Sequence, residues 1–181
     1  MKLIRTSISD VVIIEPRVFH DDRGFFFESW NAIEFANQIG IGIQFVQDNH
    51  SRSRGGVLRG LHYQIKRSQG KLVRVLRGRV LDVAVDLRKS SPSFGQWVAT
   101  ELSDRDHRHV WIPAGFAHGF LVLSDSADVF YKTTDYYAPE CERCIVWNDP
   151  TIGIKWPSTC EPVLSEKDQS GVLLRDAELF P

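Results

Sequence analysis

From Leu72 to Arg88 the chain alternates with period two on both sides of Arg77-Gly78-Arg79. That period belongs to strands, because successive strand side chains point to opposite faces. Leu81, Val83, Val85 and Leu87 then form one apolar face, against Val80, Asp82, Ala84 and Asp86, and the stretch reads as a hairpin strand. Further short strand signals surround it. Val11 to Val18 is β-branched and interrupted by Pro16, which marks an edge strand. Phe45 to Asn49, Trp97 to Leu102, Val110 to Ile112, Gly119 to Leu123 and Val129 to Thr134 follow at roughly even spacing. Asp21-Asp22-Arg23-Gly24, Ser51 to Gly56 and Ser90 to Gly95 supply turn or loop chemistry. The best helix signal starts at Asn31, an N-cap with Glu34 placed for a capping box, Trp30 and Phe35 placed for a staple, and Gly40 as a stop. Many short strands, one helix in the N-terminal half and a polar tail with a short helix or turn predict a mainly β sandwich or jelly roll. The alternating helices of a doubly wound α/β fold are absent.

The 181 residues suit one domain spanning 1–181. Net charge is −1, so no general basic field would draw nucleic acid or an anionic membrane. No apolar run is long enough for a membrane span, and Met1 to Ser9 has no apolar core for a signal peptide, so a cytoplasmic location is expected. Cys141, Cys144 and Cys160 cannot make a disulfide framework. Cys141-Glu142-Arg143-Cys144 is formally a C-x-x-C, but it follows Pro139 and looks like a turn entering a strand. As a zinc site it is half a site.

Dinucleotide, P-loop, zinc-peptidase and serine-esterase motifs are missing. Chemistry therefore rests on single residues. His62, in Arg59-Gly60-Leu61-His62-Tyr63-Gln64, lies between apolar neighbours with Arg59 and Lys71 close by. His118 follows the turn Pro113-Ala114-Gly115 and is expected at the mouth of a strand. Histidine titrates nearest neutrality, which suits a general base; a packed, hydrogen-bonded histidine is the competing reading for both. His107 and His109 read as part of a solvated charged turn. Tyr131 reads either as strand packing or as a proton donor facing a base across a pocket. Ser165 with Asp168 fits a helix N-cap.

The motifs Arg59–Gln64, Gln69–Lys71 and Ile112–Phe120 together resemble the dTDP-4-dehydrorhamnose 3,5-epimerase family. Asp21–Glu28, Phe45–Ser51, Tyr131–Thr134 and Leu164–Asp168 carry the same resemblance, in the family's order. It implies a cupin-type jelly-roll barrel, a homodimer, no cofactor and no metal. The residues agree on the last point: a metal cupin needs a second histidine where Gln64 stands and an acid downstream, which Ile65 to Leu72 lacks.

The resemblance further implies a dTDP-linked 4-keto-6-deoxyhexose as substrate, epimerised at C3 and C5 within dTDP-L-rhamnose synthesis for cell-surface polysaccharide such as the lipopolysaccharide O-antigen. By it, His62 is the base, Asp168 orients it, Lys71 faces the C4 oxygen and Tyr131 returns a proton on the opposite face. Arg23 and Arg59 match diphosphate contacts. Glu28, Gln47 and Asn49 match contacts to thymine and sugar, Tyr137 stacks on thymine, and His118, Glu142 and Lys167 are further substrate contacts. A single-carbon epimerase of another keto-deoxysugar and a non-catalytic nucleotide-sugar-binding cupin are the alternatives.

Overall fold

Period-two sequence becomes strand where an apolar face finds something to cover it. The computed structural model describes residues 1–40, 42–157 and 161–181. Its strands are β1 (Lys2–Arg5), β2 (Val12–Glu15), β3 (Val18–Asp21), β4 (Gly24–Phe27), β5 (Gln47–Arg54), β6 (Leu58–Gln64) and β7 (Lys71–Arg77). β8 (Arg79–Asp86), β9 (Trp97–Ser103), β10 (His109–Ile112), β11 (Phe116–Val122), β12 (Ser126–Thr133) and β13 (Glu142–Cys144) complete them, with helices α1 (Ala32–Gln38) and α2 (Glu166–Gln169). One antiparallel sheet has the order β1-β2-β10-β7-β12-β5 and the other β13-β6-β11-β8-β9, while β3 and β4 form a separate ribbon. This is the mainly β, two-sheet jelly-roll arrangement expected from the sequence.

The core between the sheets draws Val73, Val75, Val110, Ile112, Ala127 and Val129 from the first sheet. Val80, Ala84, Val98, Leu102, Phe116 and Phe120 come from the second. Burying each large aliphatic or aromatic side chain contributes roughly 1.5–3 kcal/mol. Both outer faces are covered too. Phe35 of α1 packs on Ile14, Leu72 and Trp111 of the first sheet. Ile152, Leu174, Trp156 and Phe180 from the C-terminal segment pack on Leu61, Tyr63, Val83 and Val85 of the second.

Several expectations change. β7 and β8 do not pair with each other: β7 pairs with β10 and β12, and β8 with β9 and β11. Gly78 takes the chain from one sheet to the other at φ +80, where a Cβ would lie 2.1 Å from the Ser126 carbonyl oxygen. The apolar face of β8 lies under the C-terminal segment, and its mixed face points into the core, so Asp82 and Asp86 are buried. β2 has neighbours on both sides and is no edge strand, because Pro16 falls just beyond its last residue. Ser51 to Arg54, expected as loop, continues β5 against β12.

Asn31 caps the Ile33 and Glu34 N–H groups, and Trp30 and Phe35 meet at 5.0 Å between ring centroids. Glu34 does not reach back to close a capping box; its carboxylate accepts from Gln38 instead. His109 is not solvated: it is buried at the start of β10, its pKa pushed down to about 3 by burial and by Arg74, while His107 stays half-buried in the turn and packs on Phe25 and Phe27. Cys160 lies outside the described residues. No helix among the described residues is long and apolar enough to cross a membrane.

Candidate active site

The chemistry-bearing side chains collect at one mouth of the space between the sheets, and alternation decides which ones. On β6, Leu61 and Tyr63 point outward into the cluster beneath the C-terminal segment, so His62 points inward. On β7, Leu72 packs outward under α1 while Val73 belongs to the core, so Lys71 also faces inward. Tyr131 lies two residues beyond core Val129 on β12 and stands directly across from Asn49 on β5. His62 therefore comes from one sheet, and Lys71, Tyr131 and Asn49 from the facing one.

Arg59 and His62 are three residues apart, a spacing that plain alternation would put on opposite faces. A bulge resets it: His62 pairs with His118, but Arg59 pairs with Phe120. Gly60, at φ +131, permits the close approach, since a Cβ there would meet Gly119 Cα at 2.5 Å. Arg59 Nε then donates to Ser53 Oγ on the opposite sheet at 3.0 Å. His118 lies within β11 rather than at its mouth, in a wholly buried run.

Asp168 reaches this point from α2. One carboxylate oxygen is 2.8 Å from His62 Nε2 and accepts the Gly60 N–H at 3.0 Å. The other accepts from Ser165 Oγ at 2.5 Å, so one carboxylate both caps the helix and braces the histidine. The His62 contact is close but lies off the line of a well-aligned N–H donor. Burial pushes the Asp168 carboxyl up. The bonds from His62, Ser165 and Gly60 outweigh this and hold it well below the usual carboxylate range.

Lys71 is almost fully buried, and its Nζ points at the His62 carbonyl oxygen, 3.5 Å away. Burial brings its pKa down to about 8, against the pull of Asp82 and Glu142. Tyr131 is half-buried; burial, with Glu142, raises its hydroxyl's pKa while Arg59 lowers it. Glu142, on β13, pairs with Lys167 and accepts from the Tyr137 hydroxyl at 2.8 Å. Desolvation raises its pKa, and those two partners more than offset the effect. Gln47 donates to Asn49 at 2.9 Å and accepts from the Tyr137 N–H at 3.0 Å. Tyr137 itself leaves an exposed ring at the rim.

Arg23 and Glu28 do not join this cluster. Arg23 sits in the β3–β4 turn with its side chain 90% exposed and, among the described residues, paired only with Asp21. Glu28 lines a cavity of about 550 Å³ beneath α1 with Trp30 and His109, on the outer face of the first sheet.

Asp82 was not foreseen, and Cys144, read from the sequence only as half of a C-x-x-C, takes a place the sequence did not indicate. Asp82 accepts a hydrogen bond from His118 Nε2 at 2.7 Å in the buried interior, and its negative charge acts on Lys71. Its signal was present: an acid on the mixed face of a strand whose other face is apolar. Cys144 stands across from His62 in the β6–β13 ladder. The metal-cupin positions are otherwise engaged. Gln64 is held by the Arg67 and Tyr136 carbonyls and the Ala138 N–H, and His118 by Asp82.

Chemically, the mouth offers a braced histidine on one wall, a phenol on the facing wall and a buried lysine beside them. Such a site can take a proton from one side of a substrate and return one to the other, with a cation for the charge formed between.

Comparison with known proteins agrees. The family model described as dTDP-4-dehydrorhamnose 3,5-epimerase matches residues 5–176. A Pseudomonas aeruginosa protein of that name is 62% identical over 181 residues, covering 100% of both chains. One from Salmonella typhimurium is 56% identical over 180 residues, covering 99% of this chain and 98% of the relative. The crystal structure of a dTDP-6-deoxy-D-glucose-3,5-epimerase from Legionella pneumophila, in complex with dTDP-4-keto-L-rhamnose, has a TM-score of 0.96 at 53% identity. That match covers 98% of this chain and 94% of the other. With this match along nearly its whole length, and with a histidine, a phenol and a lysine gathered at one mouth, the chain belongs to the dTDP-4-dehydrorhamnose 3,5-epimerase family.

Proposed function

We propose that the chain converts dTDP-4-dehydro-6-deoxy-D-glucose to dTDP-4-dehydro-L-rhamnose, a step of dTDP-L-rhamnose synthesis, by inverting C3 and C5 in turn. The placement of His62 and Tyr131 on facing sheets, with Lys71 beside them, carries this reading. His62 removes the proton from the carbon next to the C4 ketone. The C–H electron pair moves into the ring and onto the C4 oxygen, forming an enolate. Lys71, in its protonated form, stabilises that oxyanion in a site with little water. Tyr131 then gives its proton to the same carbon from the other side, and the ketone re-forms. Nothing is oxidised or reduced. Solvent exchange returns the proton on His62 and restores the one on Tyr131. Asp168 keeps the imidazole oriented.

Arg59 suits the diphosphate through a guanidinium fork. Gln47, Asn49 and Tyr137, linked by hydrogen bonds at the rim, suit the sugar and thymine, and His118, Glu142 and Lys167 complete the lining. The ligand in the Legionella structure supports a dTDP-linked keto-deoxysugar as this chain's substrate class. We also read the chain as a homodimer acting in the cytoplasm. The β3–β4 ribbon presents exposed Phe25 and Phe26 beside Arg23, which supports a ribbon that serves a second copy.

Incubation with dTDP-4-dehydro-6-deoxy-D-glucose in deuterated water tests the reaction. Deuterium at both C3 and C5 is expected. Label at one carbon would make the chain a single-carbon epimerase, and label at neither would reduce it to a binding protein.

A further inference from the structure

Cys144 takes no part in the reaction above, yet its thiol lies against the base. It stands opposite His62 in the β6–β13 ladder, on the same inward face. A ring nitrogen of His62, Sγ of Cys144 and a carboxylate oxygen of Asp168 all lie within 4.8 Å of one another. In a tetrahedral zinc site, bond lengths of 2.0–2.3 Å put neighbouring donor atoms roughly 3.3–3.8 Å apart. Closing the triangle therefore needs about 1 Å of side-chain movement. His62 Nε2, the nitrogen facing Asp168, is buried and makes no well-aligned hydrogen bond. A cleft of about 480 Å³ lined by Glu142, Cys144 and Lys167 opens beside β13 and reaches Cys144 from the surface.

We propose that His62, Cys144 and Asp168 form a site for a thiophilic divalent cation such as zinc, and that occupancy switches the base off. The donor set is one imidazole, one thiolate and one carboxylate, with water as fourth ligand, a combination that suits zinc or cobalt rather than magnesium or calcium. Binding releases the thiol proton to solvent and forms the metal–sulfur bond. Metal on Nε2 leaves the imidazole proton on Nδ1, so neither nitrogen can accept a proton from the substrate. The substrate's diphosphate and thymine contacts lie elsewhere. The loss therefore falls on kcat, with KM little changed.

The switch rests on the proposed role of His62, but the site does not, and the test separates them. The purified full chain is titrated with Co²⁺ in the absence of substrate, reading the near-ultraviolet thiolate-to-cobalt charge-transfer band. One equivalent should saturate the band. Cys144→Ser and Cys144→Ala should both abolish it and weaken binding about tenfold or more. Zn²⁺ should lower wild-type kcat, with recovery on adding EDTA, and should leave the turnover of both Cys144 variants untouched. The absence of a band in the wild type, or a band that survives both substitutions, overturns the site. A normal band with undiminished turnover overturns the switch alone.

Discussion

Lys71→Met should stabilise the protein while removing its activity. Burial brings the Lys71 pKa from 10.5 down to about 8. At 1.36 kcal/mol per pH unit, keeping this lysine protonated in the fold costs roughly 3 kcal/mol. Methionine fills a similar volume without the charge. Asp82 and Glu142 lose a nearby cation in exchange, which takes back part of the gain, although Asp82 keeps His118 and Glu142 keeps Lys167. A net gain of about 1–3 kcal/mol remains, or roughly 3–10 °C in Tm for a chain of this size. The sign follows from proton counting. Between pH 8 and 10.5 the unfolded chain holds a proton on Lys71 that the native state has released. Wild-type stability therefore rises with pH through that window through this group, and the variant has no such contribution. Urea unfolding of both proteins at neutral pH and near pH 10 measures the gap. It should be largest below about pH 8 and shrink toward pH 10. A variant less stable than wild type, or a gap independent of pH, would refute the reasoning.

Three further outcomes are expected. Because Lys71 acts in its protonated form, kcat should fall as pH rises through about 8, and a profile flat to pH 10 would contradict that role. Asp168→Asn should lower kcat by about 10–100-fold, the usual range for a residue that orients a ligating or basic histidine. It should also remove the stability of a carboxyl titrating below its ordinary value, which is complete above about pH 4 and is lost on acidification, so acid unfolding of wild type and variant should converge. Arg59→Leu should raise KM by about 10–100-fold with a smaller change in kcat, as loss of a charged hydrogen bond to phosphate implies; an unchanged KM would move the diphosphate elsewhere.

Much of the fold was legible because period-two patterning and turn chemistry are local signals. The α1 cap at Asn31 and the α2 cap at Ser165 could be read from a few neighbouring residues. Pairing could not. The alternation on either side of Gly78 looks the same whether the strands form a hairpin or separate into two sheets, and only the close approach to Ser126 decides. His109 looked solvated beside charged neighbours because the sequence does not show Phe35, Trp30 and the β3–β4 ribbon covering that face. In the site, His62, Lys71 and Tyr131 were readable as candidates, but that Arg59 joins them depends on the bulge opposite Gly60. Asp82 fits a bland strand pattern and Cys144 reads only as half of a C-x-x-C, and their meaning comes from partners 36 residues away and across a ladder.

The central claim is that two groups on opposite walls divide the proton transfer. It is tested most directly by following deuterium incorporation and stereochemical inversion separately in His62→Ala and Tyr131→Phe. With His62 gone, both should fall by ~10²–10⁴-fold, since His118 and Glu142, the other basic groups on that sheet's side of the site, are tied up by Asp82 and Lys167. With the Tyr131 hydroxyl gone, His62 should still exchange protons while inversion fails. Equal loss of exchange and inversion in Tyr131→Phe, or near wild-type turnover in His62→Ala, would contradict the account.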